Sequence, residues 1–503
     1  MALQILAKLF EDLNRRAIRY CHWKSNLRLE RGLQGETDLD LLLDRKHGQI
    51  FRQILCEHGV KPVLAPPGRR YPAVEDYLGF DPASGKLFHL HVHYQLVLGE
   101  QFVKNYRLPL ESHFLDSARL QYGVKIPSPE LEIIVLCLRA LLKYRDRDVI
   151  KDVLSIRTSG LPAHIREEIR HLLEQTSLER IAQTLAGIAD VVPAEVVLEF
   201  LNTVVAAPRA GYKFYRLRRR VYRALRPYQR RERFSAGFGY FRELWRRRSF
   251  LRFWPEQKMT PRSGGATLAL VGADGSGKST MSQALARWLA CKLDVHLYYL
   301  GSKQPSRRSE LLYLAFRVFR RGHREMCRVL SEANALSRWI AGLRDGLLCT
   351  HYLSIGYDRY ARYLAGRKKA LAGSLVIYDR YPLESIRTGA EYRLLDGPQI
   401  PFIADGQAGI IVRALAWAEL NLYGKIRPPD YLFALDVSPT VGLQRKPDHN
   451  QRGAMLEAKS RAVSELAVRA SWENQELGLF ALNANLPLEE VLGQLKTKLW
   501  ELL

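Results

Sequence analysis

Acidic residues are in short supply in this chain of 503 residues. Its 52 Asp and Glu face 77 Lys and Arg, which leaves a formal charge of +25. Such an excess points toward anionic partners and says little about fold. Cysteine is scarce as well: Cys21, Cys56, Cys137, Cys291, Cys327 and Cys349 stand without close pairs. That spacing excludes a cysteine zinc motif and a disulfide framework, and it fits a reducing cytoplasm. No run approaches the roughly 18 apolar residues that cross a bilayer. The opening MALQILAKLFEDLNRR reads as an amphipathic helix of mixed charge, so no leader is expected. The expected location is cytoplasmic, with peripheral attachment at the inner membrane face as a variant. Wholesale disorder is excluded, because 47% of the residues are hydrophobic. The length accommodates two or three domains.

What the chain does have is LVGADGSGKST, Leu270 to Thr280. Gly272, four residues, then Gly277-Lys278-Ser279 is the spacing of a phosphate loop. The apolar run 266–271 reads as a buried strand before it, and Met281 to Leu293 has helical periodicity after it. Glycines let backbone N–H groups turn toward phosphates, and a helix N-terminus adds partial positive charge. Gly272, Asp274, Gly275, Gly277, Lys278, Ser279 and Thr280 are therefore the candidate nucleotide-binding residues. Lys278 is expected to neutralise phosphate oxygens and Ser279 to hold Mg²⁺.

Two more strands are expected, SLVIY (374–378) and YLFAL (431–435). The first ends in Asp379-Arg380. A carboxylate there suits Mg²⁺, and the adjacent guanidinium suits a phosphate. After the second come Arg445, Lys446 and Arg452, either a solvated charged helix or cations that close over a transferring phosphoryl group. Lys278, Asp379, Arg380, Arg445 and Arg452 make up the candidate catalytic set.

From about Ala266 onward the chain resembles the thymidylate kinase family of P-loop kinases. The matching pieces are the loop, VIYDRY (376–381), PDYLFALDVSPTVGLQRK (429–446) and LFALNANLPLEEV (479–491). The resemblance implies ATP and Mg²⁺ as cofactors. It places Asp274 at the acceptor sugar, Arg380 at the acceptor phosphate and Arg359, in GYDRYARY, at the acceptor site. Two departures bear on the acceptor. The basic helical stretch between Tyr298 and Tyr352 is longer than a small nucleotide kinase needs, and PLESIRTGAEYRLLDGPQIP (382–401) lacks the Gln-Gly-rich element that helps read thymine. The arrangement around RKKALAGSLVIYDRYPLES also looks like thymidylate-kinase-like proteins found alongside bacterial surface-polysaccharide genes. The acceptor is thus a nucleoside monophosphate or a related phosphorylated small molecule, or else a sugar or lipid-linked glycan. An ATP-binding scaffold without turnover is the reading from another class.

Residues 1–155 form a different unit. In TDLDLLLD (37–44) strand alternation puts Asp38 and Asp40 on one face, as a polymerase arranges carboxylates around Mg²⁺. A second strand, LFHLHVHYQLVLG (87–99), puts His89, His91 and His93 on one face. This part resembles the polymerase-β-type nucleotidyltransferase fold, with KSN (24–26) at the turn position and histidines where a third acid is expected. The resemblance implies Asp38 and Asp40 as metal ligands. An active nucleotidyltransferase, a degenerate ligand-binding or organising domain and a wholly different fold are the three readings, and imidazoles suit softer metals than Mg²⁺. The histidine face also reads simply as a polar sheet surface.

Residues 156–262 read as a helical, basic connector. Between Gly211 and Thr260 sixteen Lys and Arg stand against three Glu, with thirteen aromatics interleaved. This composition fits an anionic membrane surface, fits a packed linker helix, and fits nucleic acid less well. The expected fold class is α/β: an α+β nucleotidyltransferase-like domain at 1–155, the connector, and a P-loop kinase with a parallel sheet at 263–503.

Overall fold

Periodic apolar residues build the first helix, Gln4–Arg15, which buries Leu6, Leu9, Phe10 and Leu13 along one stripe. The computed structural model describes residues 2–99, 103–144, 161–206, 211–248, 258–329, 335–382, 397–403, 409–445, 453–472 and 478–503. Contacts divide the chain into two units, Met1–Arg262 and Ser263–Leu503.

The first unit is built on a mixed sheet. Its strands are β1 (Tyr20–His22), β2 (Leu39–Leu43), β3 (Lys61–Leu64), β4 (Val74–Asp81) and β5 (Lys86–His93). Strands β2 and β5 run parallel, and β4 pairs antiparallel with both β5 and β3. Two short ribbons follow, β6 (Leu96–Leu98) with β7 (Tyr106–Leu108) and β8 (Arg119–Gln121) with β9 (Val124–Ile126). β10 (Thr260–Pro261) closes the order β1-β2-β5-β4-β3-β10. Leu39, Leu41 and Leu43 of β2 and Leu90 and Val92 of β5 pack with the first helix in one core. Alternation turns Asp40 and the histidines to the other face.

The helix Pro129–Lys143 begins with a serine cap, Ser128 Oγ accepting from Leu131 N, and proline at its first position. It is buried on nearly every side. Helices Ala163–Leu173, Leu178–Ala186, Ala194–Ala206 and Gly211–Ala224 pack around it. One core runs from Cys21 and Trp23 through this helix to Phe214, Leu217, Val221 and Leu225. Buried apolar residues of the expected connector, from Leu161 to Leu225, therefore belong to the first unit's own core. Phe214, Leu217 and Val221 form an apolar stripe that must be buried. The next helix, Arg233–Arg248, behaves differently: Phe238, Phe241 and Trp245 are exposed at helical spacing.

The second unit is α/β with a wholly parallel sheet. Its strands are β11 (Thr267–Gly272), β12 (Val295–Tyr299), β13 (Leu375–Asp379), β14 (Tyr431–Asp436) and β15 (Leu479–Asn483), in the order β12-β13-β11-β14-β15. The expected basic helical stretch becomes two packed helices, Arg307–Val329 and Ala335–Leu371. Among the described residues no helix is long and apolar enough to cross a membrane.

Candidate functional site

The phosphate loop starts where β11, the central strand, ends. Register sets Leu270 beside Asp379 and Gly272 beside Leu435, so β13 and β14 deliver their C-terminal ends to the same edge. Ligands of open parallel sheets bind at that edge. Gly275 and Gly277 have φ of 86° and 84°, where a side chain is strained. A Cβ on Gly275 would also lie 2.5 Å from Gly442 O. The loop then enters the helix Lys278–Ala290, with Ser279 and Thr280 in its first turn. Lys278 Nζ donates to Gly272 O and Ala273 O, both at 2.7 Å, so its charge lies against the loop.

Asp379 is buried at the end of β13, and among the described residues its Oδ1 has no hydrogen-bond partner. Its neighbour Arg380 is left-handed, with φ of 62°, an uncommon conformation for a residue with a side chain. The guanidinium Nη2 of Arg380 comes to 3.6 Å from Asp274 Oδ1, while Lys459 Nζ donates to Asp274 Oδ2 at 2.9 Å. Burial alone would raise the Asp274 carboxyl. Lys459, Lys278 and Arg380 outweigh it and hold the group well below the usual carboxylate range. Asp274, Lys278 and Arg380, chosen from sequence, are thus brought together. Lys459, on the helix Gly453–Trp472, escaped the sequence reading because no motif marks it and only tertiary packing brings it to the loop.

The other candidates separate. Arg359 is buried, hydrogen-bonded to the Tyr423 hydroxyl and lying over that ring. Arg445 donates to Ala484 O at 2.7 Å and Leu486 O at 3.1 Å, so it braces the loop after β15. Lys446 and Arg452 lie outside the described residues.

The first unit holds a second polar cluster. His89 Nδ1 lies 3.1 Å from Asp38 Oδ1, and its Nε2 lies 2.9 Å from Asp76 Oδ1. His91 Nδ1 lies 3.2 Å from Asp40 Oδ1, and Lys24 Nζ lies 2.6 Å from the same oxygen. Asp38 and Asp40 therefore each have imidazole or ammonium neighbours. A third acid is present after all, on β4: Asp76, opposite His91 in register. VEDYLGFD shows no clean apolar alternation, so the sequence pattern did not mark this strand. Burial alone would lower His89, but Asp38 and Asp76 outweigh it and push the imidazole up to about 9. Burial, then the charge of Lys24, pushes the Lys104 ammonium down to about 7.

No family model matches the chain. The uncharacterized ATP-binding protein YghS of Escherichia coli strain K12 is 28% identical over 232 residues, 45% of this chain and 88% of that protein. YghR of the same strain, also an uncharacterized ATP-binding protein, is 26% identical over 233 residues, 45% of this chain and 84% of its own. The structure of deoxyadenosine kinase from M. mycoides with bound dATP overlaps 46% of this chain and 98% of its own. Its 13% identity and TM-score of 0.27 carry no argument. Over slightly less than half its length, then, the chain is similar to two bacterial ATP-binding proteins, and its second unit carries a phosphate loop at the edge of a parallel sheet.

Proposed function

We propose that the second unit binds ATP and transfers its γ-phosphoryl group to an acceptor oxygen, in the manner of a thymidylate-kinase-like P-loop enzyme. The observation that carries this reading is the convergence of Lys278, Asp274, Arg380 and Asp379 at one sheet edge. The loop amides and Lys278 hold the phosphate chain, which leaves positioning and charge stabilisation as the work of catalysis. Arg380 and Lys459 supply positive charge for an acceptor phosphate, and Asp274 orients both cations. The buried Asp379 Oδ1, unpartnered among the described residues, and the Ser279 hydroxyl fit Mg²⁺ as donors, both being hard oxygen ligands. Bound there, Mg²⁺ would neutralise charge on the phosphate oxygens.

The acceptor on this reading is a nucleoside monophosphate or a related phosphorylated small molecule, with dTMP a poor one. A sugar or lipid-linked acceptor is favoured by one feature of the enlarged region. The helix Arg307–Val329 exposes Leu311, Leu314 and Val318 among the exposed Arg307, Arg308, Arg317, Arg320, Arg321 and Arg324. That mixture suits an anionic membrane surface. The test is ATP consumption by the full chain across acceptors that include dTMP, other monophosphates and polyprenyl-linked sugars. Turnover on any of them, lost in Lys278→Ala, supports phosphotransfer; ATP binding without turnover on all supports the scaffold.

A further inference from the structure

The polar face of the first unit's sheet offers a donor set that the phosphotransfer reading leaves unused. Asp40 and His91 are register partners on the parallel strands β2 and β5, and His93 follows two residues later on the same face. One oxygen, Asp40 Oδ1, lies 3.2 Å from His91 Nδ1 and 3.5 Å from His93 Nε2. The donor atoms of all three lie within 4.8 Å of one another. Two ligands of a tetrahedral ion, each about 2.1 Å from it, stand about 3.4 Å apart. Both contacts to Asp40 already match that spacing.

His93 supplies the independent sign. It is completely buried; among the described residues Nδ1 has no hydrogen-bond partner, and Nε2 has only the long 3.5 Å contact to Asp40 Oδ1. Leaving such a group unsatisfied is costly, so the interior has reason to provide it with a ligand. Its ring meets Trp23 edge-on at 5.2 Å, which fixes its orientation. The outer contact of His91 is equally telling. While Nδ1 faces Asp40, Nε2 stands 3.5 Å from Asp76 Oδ1. A carboxylate behind the far nitrogen is how metal-binding imidazoles are usually oriented.

We infer that Asp40, His91 and His93 form a site for a divalent transition ion of the zinc class, with Asp76 orienting His91. Two imidazoles and one carboxylate suit Zn²⁺, Co²⁺ or Fe²⁺ and not Mg²⁺, which takes oxygen ligands and keeps its waters. The arrangement differs from a pair of carboxylates sharing Mg²⁺, because Asp38 is directed to His89. Lys24 lies 2.6 Å from Asp40 Oδ1. Its ammonium occupies one side of the ligand oxygen and competes with an incoming cation. Three protein ligands leave further coordination positions to water or a substrate oxygen. Lys24, once displaced, and Lys104 are cations suited to an anionic substrate there. This site is independent of the kinase reading, and its test uses no ATP.

The experiment titrates Co²⁺ and Zn²⁺ into the full, tag-free chain after chelator treatment, by calorimetry and by the visible d–d absorption of Co²⁺. One ion per chain is expected, with the d–d bands of a low-coordinate nitrogen and oxygen site. Mg²⁺ in about 1,000-fold excess should not displace it. His91→Ala and His93→Gln should each weaken binding about 100-fold or more. Asp76→Asn should weaken it about 10- to 100-fold. Lys24→Met should tighten it at least 10-fold, because the competing ammonium is gone. A purely structural cluster would give no metal response in any variant. If His93→Gln does not fold, His91→Ala, whose side chain is partly exposed, decides. The inference is overturned if the wild type takes up neither ion stoichiometrically, if Mg²⁺ displaces Co²⁺, or if binding survives His91→Ala unchanged.

Discussion

Asp40 in the first unit and Asp274 in the second are two versions of one arrangement, a carboxylate with a lysine ammonium beside it. Lys24 lies 2.6 Å from Asp40, and Lys459 lies 2.9 Å from Asp274. Burial would raise both carboxyls, and in both the lysine leads the neighbours that hold them low. The surroundings differ. Asp40 sits among imidazoles fixed by strand register, a setting that offers lone pairs to a cation. Asp274 sits on a glycine loop among cations, a setting that offers positive charge to an anion. Similar ion pairs thus suit opposite ligands on the two readings proposed above, and what separates them is the frame: a sheet face in one unit, a loop and helix N-terminus in the other.

The sharpest way to break the comparison is Lys278→Ala. Removing this cation should cut ATP turnover by about 10²- to 10³-fold, about 3–4 kcal/mol of transition-state stabilisation. Steady-state kinetics beside a thermal melt check it: turnover should collapse while the melt stays put. Unchanged turnover would mean that the loop is not a phosphate site.

Asp40→Asn should cost the first unit about 3 kcal/mol, since it strands the largely enclosed Lys24 ammonium. Urea unfolding reads this directly, and Lys24→Met combined with Asp40→Asn should recover much of the loss.

Glu132 tests the opposite case, a buried carboxyl that makes no ion pair with an ammonium among the described residues. Burial pushes it up to about 7, although it accepts hydrogen bonds from Asn26 N and Nδ2. Between about pH 4.5 and pH 7 the folded chain keeps a proton that the unfolded chain has released. This group's contribution is therefore largest below about pH 4.5 and is lost as pH rises through about 7, a change of about 3 kcal/mol. Relative to Glu132→Gln, the wild type should weaken by that amount between about pH 4.5 and pH 8 in urea melts. Parallel curves would contradict it.

Asp274→Asn should have a smaller effect on stability, about 1–2 kcal/mol, because Asp274 and its nearest ammonium, Lys459, are somewhat more exposed than Asp40 and Lys24. Its kinetic effect should fall on the acceptor, with acceptor KM rising at least about 5-fold and ATP KM within about 2-fold. A rise confined to ATP would move Asp274 to the nucleotide side.

The smallest stability effect belongs to the exposed aromatic stripe. Replacing Phe238, Phe241 and Trp245 with Ser should shift unfolding by less than about 0.5 kcal/mol each. If this helix meets an anionic membrane, the triple variant should lose co-sedimentation with anionic vesicles. Wild-type protein that ignores vesicles but binds single-stranded DNA would favour nucleic acid instead.

Much of the second unit was legible in the sequence. Strands expected at 266–271, 374–378 and 431–435 lie within one residue of β11, β13 and β14. Such strands are buried on both faces of a parallel sheet and read as continuous apolar runs. β12 escaped because its Val-His-Leu-Tyr-Tyr is only partly buried at the sheet edge. β4 escaped because its polar half, Val-Glu-Asp, looks like loop until it is paired with β5.

The sequence by itself determined the phosphate loop, since four-residue spacing and glycine stereochemistry are local properties. It also determined that the three histidines of β5 share one face, because the side-chain period of a strand is two, while Asp38 falls just before β2 and only Asp40 lies on it. Which strands lie side by side is not local. Tertiary structure alone put His91 opposite Asp40 and Asp76, brought Lys459 to Asp274 from 185 residues away, and buried Phe214 while leaving Phe238 exposed. Those contacts depend on register and on helix packing between segments far apart in the chain, and composition and spacing encode neither.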